Sequence, residues 1–378
     1  MRHPQSKVPA ALFEESAEVR SAYFATGFVL RHDRLNGVFQ ETVTALKERT
    51  GKHMVVVAGP TGVGKTTLAR RVTDYVFQDL VPNWYEDPAC IPCVSVELRM
   101  DSQNGFDWKE LYTQVLVALN EPLVDHKCNI RTTTDYQKSQ VMTGGHIKVS
   151  RLRTELEQAL KERKTRVLIL DELQHLFKHG GGKVEQYYDV LKSISSRTDC
   201  AIVGIGTYEL CFMMDWSGQM NRVTDYLQFS RYDFGAQSDL QSFFNAYSGL
   251  LAHVPMDLDE QLLRPDLEYV YIRCCGCVGI LKDWIYRAMN RAINEGTTAL
   301  GVKHLEATMH SPKALQRIIE EIKEGEASFY QPDIDELKSE FIGMHSPAPS
   351  SPVKEKKAGT SPSHPGVRKP KRDPINAS

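Results

Sequence analysis

Five apolar residues, Met54–Ala58, run directly into Gly59-Pro60-Thr61-Gly62-Val63-Gly64-Lys65-Thr66, and an amphipathic stretch follows over 66–77. The spelling G-x-x-x-x-G-K-[S/T], between a buried strand and a helix, admits very few folds. Glycines let the backbone close around an anion, and successive N–H groups then point inward as a nest. The following helix adds its positive N-terminal end. The expected occupant is ATP with magnesium, held by Gly59, Pro60, Thr61, Gly62, Val63, Gly64, Lys65, Thr66 and Thr67. Lys65 is expected to reach the β- and γ-phosphates, and Thr66 to place its hydroxyl on the metal.

The strand-then-helix pattern continues. Residues 91–98, 167–170 and 201–205 read as strands, 227–230 as a last short one, and 108–119, 148–162 and 184–195 as helices. Such alternation predicts an α/β fold, a parallel sheet with helices on both faces. Upstream, 12–24 and 36–49 read as helices, with Gly51 as a stop signal. After Gly235 the strand signals fade, and 240–251, 258–263, 279–293 and 303–309 predict a small all-helical lid. The expected organisation is an N-terminal helical segment (1–50), a nucleotide-binding α/β domain (51–234), the lid (235–311), a C-terminal helix (312–343) and a disordered basic tail (344–378). That tail is rich in Pro, Ser and Lys and sets seven basic residues against two acidic ones.

Two further strand ends carry chemistry. Val167-Leu168-Ile169-Leu170 ends in Asp171-Glu172, which puts two carboxylates at the exit of a buried strand. Asp171 is expected to hold the magnesium shell through water, and Glu172 to polarise the attacking water as a general base. The strand 201–205 runs into Gly206 and Thr207, whose hydroxyl is positioned to sense the γ-phosphate or orient water. Arg222 falls between that strand and the last, where an arginine can reach a neighbouring subunit's nucleotide; alone, such a residue is more often a surface ion-pair partner.

Composition narrows the class. The chain is 41% hydrophobic and 25% charged with a formal net charge of -2, so no overall basicity announces a nucleic-acid partner. No apolar run approaches the roughly 20 residues needed to cross a bilayer, no signal-peptide core opens the chain, and the expected location is the cytoplasm. Eight cysteines in 378 residues do not make a disulfide scaffold. Cys90 with Cys93, and Cys274 with Cys275 and Cys277, read as buried thiols rather than as a shared metal site.

The elements in this order resemble the AAA+ ATPases and, more narrowly, the TniB/TnsC family of transposition regulators. The resemblance is carried by the 59–66 loop, Leu168-Ile-Leu-Asp171-Glu172-Leu-Gln-His175, Val203-Gly-Ile-Gly-Thr207-Tyr-Glu-Leu210, Gln219-Met-Asn-Arg222, Phe229-Ser-Arg231-Tyr232 and Gly276-Cys-Val-Gly279-Ile-Leu281. It covers roughly residues 33–309 and implies a P-loop AAA+ sheet. Departures are Val223 where the family has Phe, and Ser230 and Tyr232 where it has Pro and Trp. Gly279 stands where many AAA+ lids carry an arginine, leaving Lys282 as the substitute nucleotide contact. The resemblance implies a regulatory ATPase that forms a homo-oligomer, ring or filament, on double-stranded DNA and links a target-selector protein to transposase subunits. Hydrolysis would drive disassembly. Arg131, Lys138, Lys148, Arg151, Arg153 and Thr154 are then the expected DNA-backbone contacts, giving salt-dependent binding without sequence preference. Two alternatives stand beside it: a replication-initiator-like DNA-binding AAA+ ATPase, and a signalling or secretion NTPase that binds no DNA.

Overall fold

The computed structural model describes residues 1–49, 51–99, 106–122, 124, 149–177, 184–213, 222–329, 334–335, 338 and 341. The chain forms two units, Met1–Tyr330 and Gln331–Ser378. In the second, Ile334 and Phe341 are exposed and Lys338 pairs with Asp335 at 3.0 Å. The expected tail, 344–378, lies outside the described residues.

The first unit opens with helices α1 (Ala17–Thr26) and α2 (Asp33–Lys47), then strand β1 (Met54–Ala58) and helix α3 (Lys65–Tyr75). Strand β2 (Cys93–Glu97), α4 (Trp108–Ala118), α5 (Val149–Glu162), β3 (Val167–Asp171), the one-turn α6 (Gln174–Phe177) and α7 (Val184–Thr198) follow. Strands β4 (Ala201–Gly206) and β5 (Thr224–Gln228) complete a five-stranded sheet in the order β2-β3-β4-β1-β5, every pair parallel. The apolar runs are continuous because both sheet faces are covered. Met54, Val56 and Ala58 of β1 pack with Leu168 and Leu170 on one face. Val55 and Val57 pack with Val167, Ile169, Val203 and Ile205 on the other. This is the period-2 alternation of a strand read in three dimensions.

The last strand differs from the sequence reading: it spans Thr224–Gln228, beginning three residues before the expected 227. As an edge strand it is only half-buried beyond Thr224, so it lacks the apolar run that marks a central strand.

The lid comprises α8 (Gln237–Leu251), α9 (Glu260–Leu263), α10 (Leu267–Cys274), α11 (Val278–Asn294) and α12 (Val302–Thr308), followed by α13 (Pro312–Ser328). It is not all-helical: two-residue strands β6 (Asp257–Leu258) and β7 (Ala299–Leu300) pair in parallel within it. Helix α10 was also not anticipated, since Tyr269, Val270, Tyr271 and Ile272 are β-branched or aromatic and mask the helical period. The N-terminal segment is shared. Phe24 of α1 joins the lid core, and Ser21 donates to the Tyr286 hydroxyl at 3.1 Å, whereas Leu35, Val38, Val43 and Leu46 of α2 pack beneath the sheet.

Candidate active site

The sheet order builds the site. β4 lies between β1 and β3. With about 4.8 Å between neighbouring strands, the loop after β1 and the carboxylates after β3 stand roughly 10 Å apart, and the turn after β4 lies between them. The Gly59 N–H donates to the Gly206 carbonyl at 3.2 Å, which ties the loop to the end of β4. A Cβ at Gly59 would lie 2.3 Å from the Phe229 carbonyl oxygen, so no larger residue fits there. Gly62 and Gly64 adopt φ of 78° and 117°, the left-handed region where glycine carries no Cβ penalty.

The Lys65 ammonium folds back on this loop and donates to the carbonyls of Gly59 at 3.2 Å and Pro60 at 2.9 Å. Burial lowers its pKa, and the carboxylates of Glu172 and Asp171 counter that shift. Asp171 ends β3 almost fully buried; its Oδ1 accepts the Glu172 N–H at 2.9 Å, and its carboxylate is hydrogen-bonded by Thr66. Burial raises the Asp171 pKa, with the Glu172 charge adding and the Glu172 N–H, Thr66 and Lys65 opposing. A threonine hydroxyl beside a buried carboxylate is an oxygen donor set that suits magnesium.

Glu172 turns at φ 56°. A non-glycine residue held there costs about 1–2 kcal/mol, and the turn directs its side chain to the wall of the same cleft as Lys65 and Thr66. The Thr207 hydroxyl is buried and has no partner among the described residues. Such an orphaned group costs about 1–3 kcal/mol, and this one borders the cleft, where a phosphate oxygen would satisfy it. Thr61, Gly62, Gly64, Lys65, Thr66, Thr67, Glu172 and Thr207 therefore meet around one cavity of about 390 Å³. Pro60 borders the adjoining groove with Thr61 and Thr207, and Val63 is buried in the core beneath. The donors, the orphaned hydroxyl and the backbone cradle fit a nucleoside triphosphate with its metal.

The lid touches the loop directly. Gly279, at the start of α11, lines the cavity, and its N–H donates to the Gly62 carbonyl at 2.7 Å. Lys282, expected at the nucleotide, is instead committed to α1: its ammonium donates to the Ala25 carbonyl at 3.0 Å and lies 4.5 Å from the Phe28 ring centroid. One turn along α11 from Gly279, it points to the face that packs on the N-terminal helix.

Arg222 is exposed and precedes β5, whose first residue pairs with Met54 at the far end of β1 from the loop. Four residue steps of strand, roughly 13 Å, separate the start of β5 from its end beside the cleft, and Arg222 lies two residues before that start. Of the expected DNA contacts, Arg131, Lys138 and Lys148 lie outside the described residues, as does Asn221. On α5, Arg153 pairs with Glu157 at 2.8 Å, Arg151 approaches Glu155 at 3.9 Å, and Thr154 donates to the Ser150 carbonyl at 3.1 Å. Glu157 is shared with Arg197 at 3.3 Å.

Two residues at the site were not singled out from sequence. Gln174 is buried and bonds both Glu172 and Thr207. His32, at the start of α2, stacks on Phe229 with ring centroids 6.4 Å apart, and its Nδ1 is 3.2 Å from the Tyr232 hydroxyl. Burial lowers its pKa to about 4. Gln174 stands within the quoted 168–175 stretch, but its partner Thr207 is 33 residues away, and nothing local announces it. The cysteines Cys90, Cys93, Cys200, Cys211, Cys274, Cys275 and Cys277 are free and buried. Among the described residues no cluster of His, Cys, Asp and Glu is arranged to hold a metal, and no helix is long and apolar enough to cross a membrane.

Residues 48–214 match the family described as AAA domain. Together with the strand order and the loop, this identifies an AAA+ P-loop fold, a broader assignment than the TniB/TnsC resemblance. No curated protein matches the chain. Among solved structures it is similar to Cdc6p from Pyrobaculum aerophilum, at 15% identity and a TM-score of 0.48 over 74% of this chain and 68% of that one. It is similar to the Aeropyrum pernix ORC2 protein at 13% identity and a TM-score of 0.48, over 76% and 71%. It is also similar to a chain of Drosophila ORC bound to DNA, at 14% identity and a TM-score of 0.45, over 91% and 83%.

Proposed function

We propose that this chain is an ATP-hydrolysing AAA+ switch whose nucleotide state governs assembly with copies of itself on duplex DNA. The observation that carries the reading is the single cleft where Lys65, Thr66, Glu172 and Thr207 meet, with Asp171 behind Thr66. Lys65 leaves the loop carbonyls to bind β- and γ-phosphate oxygens. The Thr207 hydroxyl donates to a γ-phosphate oxygen and so reports its presence. Glu172 accepts the proton of the attacking water as the water oxygen bonds to phosphorus and the bond to the β-phosphate bridge breaks. Thr66 and, through water, Asp171 would hold magnesium, which when bound would neutralise charge on the phosphate oxygens.

Self-assembly is supported by Arg222, which stands at the opposite end of the strands from its own loop and is exposed there. From there it would reach the cleft of another copy and stabilise transition-state charge. Duplex DNA is supported by the TniB/TnsC resemblance and by Arg151 and Arg153 on α5. Each arginine must exchange a carboxylate partner for a phosphate; buried Glu157 keeps Arg197 at 3.3 Å when Arg153 turns to DNA. Transposase subunits and a target selector are implied by the resemblance alone.

The test is imaging and gel-shift of the full chain with duplex DNA, with and without a non-hydrolysable ATP analogue. Assembly that needs both DNA and the analogue is the expected result. Assembly on nucleotide alone would favour a signalling or secretion NTPase, and no assembly under any condition would overturn the switch.

A further inference from the structure

Gln174 is only 3% exposed, and both ends of its carboxamide are spent inside the cleft wall. The N–H end donates to Oε2 of Glu172. The oxygen accepts the N–H of Thr207 at 3.1 Å. Gly206 makes room for this: a Cβ there would lie 2.2 Å from the Gln174 amide oxygen. A single planar group thus joins the carboxylate at the end of β3 to the backbone at the end of β4. One side of the bridge carries the water-polarising group and the other the residue with the orphaned hydroxyl.

We infer that Gln174 is a positioning residue that holds the Glu172 carboxylate and the Thr207 backbone in one register across the cleft. This rests on the reading of the cleft as an ATP-hydrolysing site. A carboxylate that turns from a left-handed backbone has several rotamers open to it, and the amide N–H selects one while leaving Oε1 for a water. At its other end the amide oxygen fixes the Thr207 N–H, so a phosphate that engages the Thr207 hydroxyl meets a base already aligned to it. Gln174 makes no bond to the loop 59–66. Its loss therefore slows the chemical step and leaves nucleotide binding intact.

The test is steady-state hydrolysis of magnesium-ATP by the full chain and two variants. Gln174→Met keeps the volume of the side chain and removes both polar ends. Gln174→Glu keeps the shape and an acceptor for Thr207 but removes the donor to Glu172. A well-placed general base contributes about 10²–10⁴-fold, so both variants are expected to lose at least about tenfold in kcat. KM for ATP stays within about threefold, the pattern of an interaction made for the transition state rather than for binding. Wild-type kcat in either variant overturns the inference, because packing or the Thr207 contact alone would then suffice. A rise in KM that matches the fall in kcat overturns it equally. Unimpaired variants beside an active wild type would sink this inference alone, whereas a wild type without turnover sinks the ATPase reading and this one with it.

Discussion

His32 shows how a single buried side chain ties the cleft to pH. Its ring lies against Phe229, whose carbonyl packs on Gly59, and burial lowers its pKa from 6.5 to about 4. A histidine kept neutral in the fold contributes stability that is complete above its unfolded pKa. That contribution drains away as pH falls from 6.5 toward 4. At 1.36 kcal/mol per unit the full loss is on the order of 3 kcal/mol. Thermal unfolding between pH 7 and pH 5 should therefore show a falling midpoint that is shallower in His32→Gln; identical slopes would contradict the assignment. His32 was not legible in the sequence, because its partner Tyr232 is 200 residues away. The placement of the 59–66 loop, Asp171 and Glu172 at strand exits was legible, because it is written in adjacent residues and in the apolar runs before them. Thr207 stood between these cases: its place at a strand end was readable, but its orphaned hydroxyl was not.

At the scale of elements, the contact between the loop and α11 joins nucleotide to lid. The Gly279 N–H bonds the Gly62 carbonyl at 2.7 Å, and a Cβ at Gly279 would lie 2.3 Å from that oxygen. A Cβ at Gly62 would in turn lie 2.5 Å from Ile280. Two backbones approach here with no side chain between them. Gly279→Ala should push α11 from the loop and weaken ATP binding by about tenfold, which corresponds to 1.4 kcal/mol, the scale of one lost hydrogen bond. Nucleotide titration checks this, and unchanged affinity would mean that the lid is a bystander. The central strands were readable from their apolar runs. The edge strand β5 was read late, and α10 and the β6–β7 pair were not read at all. An edge strand carries half the apolar signal, and a two-residue strand carries none.

Across the whole first unit the chain crosses between sheet and lid repeatedly. α1 packs on the lid, α2 on the sheet, and α13 returns from the lid to the turn after β4, where Gly325 lies against the Tyr208 ring. Arg231 and Glu326 pair at 3.0 Å across the same junction. A reading in consecutive blocks cannot see this, because periodicity reports which face of a helix is apolar and not which element covers it. The loop, the turn after β4 and the lid are held by one connected packing, through Gly62 with Gly279 and Tyr208 with Gly325. The most direct measurement is ATP binding and single-turnover hydrolysis by Glu172→Gln beside the wild type. The account predicts unaltered ATP affinity with hydrolysis slowed at least about a hundredfold; hydrolysis at the wild-type rate would contradict it.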